Sequence, residues 1–86
     1  MIIRKLESKE NFTNSEMIIA DFILKNLNEI QFLSAENLAR KSFTSKASVI
    51  RLCTKLNVDG YRDLQRQVDR ELNEMYKIQG LLSEEP

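Results

Sequence analysis

Apolar side chains recur every three or four residues along almost the whole of this sequence. That spacing places them on one face of an α-helix, whereas a half-buried β-strand needs apolar residues at alternate positions. Only two glycines and one proline interrupt the chain, so the turns that join the strands of a sheet lack their usual residues. The 86 residues suffice for one modest core. The sequence therefore predicts a single, compact all-α domain.

Residue counts exclude most kinds of enzyme. The sequence has no histidine, and Cys53 is its only cysteine. These counts rule out an internal disulfide, a histidine-containing catalytic triad and a zinc site built from cysteine and histidine. The two glycines cannot form a nucleotide phosphate-binding loop. The sequence thus predicts a protein that is not an enzyme and needs no cofactor or metal, with Cys53 as a buried, unreactive thiol.

Composition also bears on where the protein functions. Hydrophobic residues make up 42% of the chain, and its 13 basic and 13 acidic side chains balance, which is unlike a disordered segment. No run approaches the 18 apolar residues of a membrane span, and the first residues lack a signal peptide pattern. We expect a cytoplasmic protein without membrane contact.

Capping residues divide the chain into five predicted helices. Thr13 and Glu16 have the spacing of a capping box, and Ser34 and Ser45 are the expected N-caps of the next two helices. Asn57 can end the fourth helix in the left-handed conformation. The predicted helices cover about residues 2–10, 14–26, 35–41, 46–56 and 61 onward. Their periodicity points Glu16 towards water and predicts a core that includes Ile19, Ile23, Leu38, Val49, Leu52 and Leu56.

Residues 34–56 have the layout of a helix-turn-helix, with a short helix, a tight polar turn and a longer helix. Residues 34–66 carry seven basic and three acidic side chains, although the whole chain is neutral. No acidic residue lies between Arg40 and Val58, a stretch that holds five basic ones. A local basic patch of this kind is what phosphate binding requires.

The fourth helix has two different faces. At about 100° per residue, its apolar residues share one stripe, while small, hydroxylated and basic side chains occupy the other side. We expect this second face to enter the major groove of double-stranded DNA, with the helix at about 46–56 as the recognition helix and Arg51 as the guanine reader. The residues expected at the DNA are Arg40, Lys41, Ser45, Lys46, Ala47, Ser48, Arg51, Thr54 and Lys55.

Two other interpretations of this face stay open. A basic, polar helix face is most often simply solvated. A helical protein–protein interaction module would instead dock a partner helix through Met17, through Ile50 on the flank of the fourth helix, or through the late apolar row of the fifth helix.

Several segments together suggest a family. Thr13-Asn14-Ser15-Glu16, Leu33-Ser34, the stretch from Thr44 to Leu56, and Gly60-Tyr61 occur in order and at fixed distances. From Phe12 to about Leu72 the chain resembles the N-terminal helix-turn-helix domain of the RpiR family of bacterial transcriptional regulators, a homeodomain-like fold. Two positions depart from that pattern: Phe43 stands where many members have glycine in the turn, and Asn57 stands where glycine usually follows the fourth helix.

The resemblance implies a further domain that these 86 residues do not contain. Family members carry a C-terminal sugar isomerase (SIS) domain that binds a phosphosugar effector and controls DNA binding. We therefore expect residues 1–79 to be the DNA-binding domain of a regulator of sugar or amino-sugar metabolism. Residues 80–86 are expected to be a loose tail leading towards that absent domain.

A helix-turn-helix usually acts as a homodimer on two related half-sites. Two apolar clusters are candidate dimer surfaces for a pair of such chains. The first lies on the first helix and the second at the end of the fifth, and they comprise Ile2, Ile3 and Leu6, and Met75, Ile78 and Leu82.

Overall fold

The computed structural model describes residues 1–83, with side chains as far as Gly80, and contains five α-helices and no strand in that range. The elements are α1 (Ile2–Ser8), α2 (Asn14–Lys25), α3 (Ala35–Lys41), α4 (Lys46–Lys55) and α5 (Tyr61–Ser83), with one 3-10 turn at Ile30–Phe32. The predicted five-helix, all-α fold is confirmed. No helix within residues 1–83 is long and apolar enough to cross a membrane.

The predicted helix starts are present. The Thr13 hydroxyl accepts a hydrogen bond from the Glu16 backbone N–H at 3.2 Å, and a Glu16 carboxylate oxygen accepts one from the Thr13 N–H at 2.9 Å. Ser34 and Ser45 cap α3 and α4 in the same way, each accepting from the N–H three residues later at 3.1 Å. Because each cap satisfies N–H groups that a helix start leaves unpaired, these four side chains set where three helices begin.

One core joins all five helices. Every predicted core residue is buried, and α5 adds Leu64, Val68 and Leu72. The structure corrects one expectation here: Ile2 and Leu6, predicted to lie on a dimer surface, are buried in the core. They become buried because α1 packs against both α2 and α5. A carboxylate of α5 also anchors the start of α1, since Glu71 accepts hydrogen bonds from the backbone N–H groups of Ile2 and Ile3.

The end of α5 differs from the predicted boundary. The helix continues to Ser83, so it includes the first four residues of the segment expected to be a loose tail. Residues 84–86 lie outside the described part of the chain. The 23-residue helix extends beyond the other four, which gives the molecule dimensions of 50 × 25 × 20 Å.

The turn between α3 and α4 holds an aromatic residue in a conformation suited to glycine. Phe43 has a φ of 57°, in the left-handed region, and its side chain is 95% exposed. The backbone therefore keeps the conformation that glycine would adopt. Asn57, the second departure from the family pattern, has a φ of 61° and ends α4 as predicted. The left-handed region costs a residue with a Cβ about 1–2 kcal/mol, although Asn tolerates it better than Phe.

We expect Phe43→Gly to raise the free energy of unfolding by up to about 1 kcal/mol, because glycine relieves the strain while the exposed ring forfeits little packing. Urea unfolding followed by circular dichroism measures the change. Phe43→Ala is the matched control, since it removes the ring but keeps the strained Cβ. An equal gain from alanine and glycine would show that the ring, and not the backbone, limits stability.

Candidate nucleic-acid interface

The first helix of the helix-turn-helix is positioned by α5. The segment before α3 contacts α5 through its backbone carbonyl groups. The Tyr61 hydroxyl donates a hydrogen bond to the Leu33 carbonyl at 2.8 Å. Gln65 donates from its side-chain amide to the carbonyls of Ile30 and Leu33, at 2.8 and 2.9 Å. These bonds fix the chain one residue before the Ser34 cap. Tyr61 and Gln65 were not predicted from the sequence, although their spacing of four places both on one face of α5.

Hydroxyl groups form the turn. Ser42, which is buried, donates to the Leu38 carbonyl at 2.8 Å and lies 2.8 Å from the Thr44 hydroxyl. The Thr44 backbone N–H donates to the Ala39 carbonyl at 2.8 Å. The unpaired carbonyls at the end of α3 are thereby satisfied within four residues, and Ser45 then begins α4. The polar turn predicted from the sequence is present, and it holds α3 and α4 in contact.

The outer face of α4 is small, polar and basic. Lys46, Ala47, Arg51 and Thr54 are all exposed on it, and Ser45 is exposed at its start. Arg40 and Lys41, at the end of α3, are exposed on the other side of the turn. The structure thus brings eight of the nine predicted contact residues, Lys55 included, to the accessible surface of the helix-turn-helix, and only Ser48 is buried. No acidic residue lies in the first turn of α4, so the positive end of its helix dipole adds to these charges.

Ser48 lies elsewhere than predicted. It was expected on the outer face, but it is only 4% exposed, because it precedes the buried Val49 and lies one helical turn before Leu52. Its hydroxyl is 3.0 Å from the Ser45 hydroxyl and accepts a hydrogen bond from the Arg51 guanidinium at 3.1 Å. Ser48 is therefore buried and hydrogen-bonded to Arg51, and it is not exposed on the outer face of α4.

The Lys55 ammonium group forms an ion pair with Glu16 of the same domain. This group lies 2.6 Å from a Glu16 carboxylate oxygen and 2.6 Å from the Asn11 carbonyl, and the Lys55 side chain is 35% exposed. Glu16, predicted to face water, is fully buried in consequence. Lys55, predicted as a DNA-contact residue, thus uses its charge to join the end of α4 to the start of α2. A contact across 39 residues leaves no local pattern in a sequence.

The buried carboxylate remains charged. Burial on its own would raise the pKa of Glu16, but hydrogen bonds from Lys55 and from the Thr13 backbone, together with the Lys55 charge, outweigh it and lower the pKa below its ordinary 4.5. One carboxylate oxygen has no hydrogen-bond partner. The favourable environment of Glu16 therefore rests on Lys55 and Thr13.

The structure also shows the surroundings of Cys53 and Ile50. Cys53 is buried, and burial raises its thiol pKa to about 11, which keeps it protonated and unreactive as expected. Ile50 is half-exposed on the flank of α4. Within residues 1–83, no three cysteine or acidic side chains are grouped as metal ligands. The chemistry available at this surface is therefore that of cations, hydroxyls and small side chains.

Comparison with known proteins identifies the same architecture. The family model described as the helix-turn-helix domain of the rpiR family matches residues 2–75. The HTH-type transcriptional regulator TTE0211 of Caldanaerobacter subterraneus subsp. tengcongensis is 37% identical over 67 residues, which are 78% of this chain and 23% of that protein. The match to the family thus includes both helices of the helix-turn-helix and the helices that support it.

Two solved structures are similar as well. The Vibrio vulnificus NanR protein complexed with ManNAc-6P superimposes with a TM-score of 0.81 and 32% identity, covering 86% of this chain and 28% of that one. The N-terminal domain of ybbH from Bacillus subtilis gives a TM-score of 0.71 and 31% identity, covering 79% of this chain and 80% of that one. The chain therefore spans about a quarter of the length of TTE0211 and NanR.

The matched family consists of transcriptional-regulator domains and not of enzymes, which confirms the exclusion drawn from the residue counts. The family resemblance noted in the sequence is confirmed over a longer segment, because the match also takes in α1 and reaches three residues further along α5. The chain belongs to the rpiR family of helix-turn-helix domains.

Proposed function

We propose that this domain binds double-stranded DNA as the DNA-binding part of a bacterial transcriptional regulator, with α4 in the major groove. The observation that carries the proposal is a set of exposed cations around the turn: Arg40, Lys41, Lys46 and Arg51. None of them pairs with a carboxylate among the described residues. DNA phosphates are the natural partners of such a surface, and the small side chains on α4 allow a close approach to the groove.

The residues divide between two roles in this proposal. Arg40, Lys41 and Lys46 lie at the ends of the two helices that face each other across the turn, where phosphate contacts would fix the orientation of the domain. Arg51 lies further along α4 and reads guanine, since a guanidinium can donate two parallel hydrogen bonds to guanine O6 and N7. Ser45, Ala47 and Thr54 line the same face. Lys55, engaged by Glu16, has no part in the contact.

The test of this function is selection of bound duplexes from a random pool, followed by affinity measurements. We expect Arg51→Ala to weaken binding to the selected duplex about tenfold and to remove the preference at one guanine, in keeping with the usual 1–3 kcal/mol of a bidentate pair. Arg70→Ala, an exposed arginine on α5, is the control and should leave both unchanged. If Arg51→Ala selects the same consensus with undiminished discrimination, α4 does not read bases through this residue.

A homodimer is the second part of the proposal. Met75 and Ile78 are about half-exposed on α5 and line a groove with Ile3 of α1. Arg4 and Glu74 also line this groove, so two copies related by a two-fold axis could pair each Arg4 with the partner's Glu74. The apolar floor and opposite charges of the groove support a symmetric contact. Leu82, the other predicted contact, belongs to the part of α5 whose side chains are not described.

Sedimentation measures the dimer directly. We expect the 86-residue chain to associate as its concentration rises, and Ile78→Glu to prevent association by placing a charge in an apolar contact. Ile18→Glu, at an equally exposed isoleucine on α2 outside the groove, is the matched control. A wild-type chain that stays monomeric at every concentration would show that this groove does not join two copies.

The effector belongs to the part of the protein beyond this domain. NanR is complexed with ManNAc-6P, and this chain spans 28% of NanR. We infer that residues 1–79 are the DNA-binding domain of a regulator of amino-sugar or sugar metabolism, whose C-terminal SIS domain binds a phosphosugar. Calorimetry with ManNAc-6P should detect binding to the full-length protein and none to the 86-residue chain. Binding to the short chain would contradict this division.

A further inference from the structure

We propose that Ser48 is a positioning residue, which contacts no DNA itself but holds the Arg51 guanidinium at the start of α4 in the orientation needed to read guanine. This inference rests on the proposed function and adds to it the residue that determines its specificity. It replaces the expectation that Ser48 touches DNA directly, which its burial beneath Arg51 opposes.

The direction of the hydrogen bonds follows from their chemistry. A guanidinium can only donate, so the Ser48 hydroxyl oxygen accepts from Arg51 at 3.1 Å. The Ser48 hydroxyl hydrogen is then available to the Ser45 oxygen, 3.0 Å away, which also accepts the Ser48 backbone N–H at 3.1 Å. Arg51, Ser48 and Ser45 thereby form a short chain of donors and acceptors near the start of α4.

This arrangement organises Arg51 before DNA arrives. An arginine side chain loses rotamer freedom when it is fixed, and Ser48 removes part of that freedom in the free protein. The bond to Ser48 occupies one N–H of a guanidinium that has five. Enough donors remain for a bidentate contact with guanine O6 and N7. Because Arg51 has no carboxylate partner among the described residues, Ser48 is the only side chain there that orients it by a hydrogen bond.

The position of the Arg51 charge near the start of α4 also favours a ligand that accepts hydrogen bonds. The bond to Ser48 brings the Arg51 charge back towards the helix N-terminus, where Lys46 already lies. Cations are unfavourable there, since the helix dipole presents positive charge. A group rich in acceptors, such as guanine flanked by phosphates, relieves this repulsion. Optimising α4 for stability alone would favour an acidic residue at this end.

A double-mutant cycle tests the inference with the duplex that the wild-type chain selects from a random pool. We expect Ser48→Ala to weaken binding to this duplex about fivefold, the size of the usual net contribution of one hydrogen bond. In an Arg51→Ala background, the same Ser48→Ala change should have no further effect. Ser48→Thr keeps the hydroxyl and should restore the affinity. Because Ser45 still caps α4 through the Ser48 backbone N–H, Ser48→Ala is expected to stay folded, as thermal unfolding followed by circular dichroism can verify.

A second measurement distinguishes a positioning role of Ser48 from a general contribution of Ser48 to binding. Replacing the guanine that Arg51 reads by 7-deazaguanine removes the N7 acceptor. We expect this replacement to weaken wild-type binding several-fold and to affect Ser48→Ala less, because a loosely held Arg51 has already lost the paired contact. Equal losses from Ser48→Ala with and without Arg51 would overturn the positioning role. Failure of the wild-type chain to enrich any duplex would instead overturn the proposed function, and the role of Ser48 with it.

Discussion

Replacing Lys55 with methionine is expected to lower the free energy of unfolding by about 2 kcal/mol, because it leaves the buried Glu16 carboxylate without its ion-pair partner. The loss comes from Glu16, which is fully buried and accepts from Lys55 at 2.6 Å. Without Lys55, its second carboxylate oxygen would still have no partner, and only the Thr13 backbone N–H would remain to support its charge. Urea unfolding at neutral pH measures the difference between variant and wild type.

Two control variants test whether the lost stability comes from the ion pair between Lys55 and Glu16. Lys46→Met removes a lysine from the same helix, but this lysine is exposed and has no ion pair in the described residues, so stability should change by less than about 0.5 kcal/mol. Glu16→Gln combined with Lys55→Met removes both charges and keeps an oxygen for the Thr13 N–H. The double variant should recover much of the lost stability. If Lys55→Met alone behaves like Lys46→Met, the ion pair does not stabilise the fold.

Acid should reduce the contribution of this pair. The folded-state pKa of Glu16 is lower than its ordinary 4.5, so its contribution to stability is fully present above that value and is lost as the pH falls through the folded-state pKa. In Lys55→Met the carboxyl group can become neutral more easily. The difference in unfolding free energy between wild type and Lys55→Met should therefore be largest at neutral pH and should shrink as the solution is acidified below pH 4.5.

Local patterns in the sequence account for most of the fold. The caps at Thr13, Ser34 and Ser45 each act on an N–H three residues away, so they are visible in the sequence itself. The periodicity of apolar residues likewise predicts which side of α2 and α4 is buried. What these patterns leave out is the packing between helices. The burial of α1, and the bonds by which Tyr61 and Gln65 hold the segment before α3, depend on contacts across about 30 residues or more.

The candidate interface could be predicted in its position and only partly in its residues. A helical wheel assigns each side chain an angle, and this suffices for Ala47, Arg51 and Thr54. It fails for Ser48, because a small side chain at the edge of the apolar stripe is covered by its neighbours, including Arg51. It also does not show that the Lys55 ammonium group pairs with Glu16. Both features come from side-chain contacts that backbone geometry alone does not determine.

DNA binding by this domain should depend strongly on salt. Arg40, Lys41 and Lys46 are the expected phosphate contacts, so the plot of log affinity against log salt should have a slope of about −2.7 for each domain bound. Raising the salt from about 50 to 200 mM should then weaken binding about 40-fold per domain. A helical protein–protein module that docks through Ile50 would bind an apolar partner with little dependence on salt. Lys55 should contribute nothing to the slope, in contrast to the expectation from the sequence.

A salt titration of the 86-residue chain against duplex DNA tests whether phosphates contact the basic surface around α4. Lys46→Gln should make the slope shallower by about one unit, as the loss of one phosphate contact requires. Lys25→Gln, at an exposed lysine on α2, should leave the slope unchanged. A wild-type slope near zero, or equal changes from Lys46→Gln and Lys25→Gln, would contradict DNA binding through this surface.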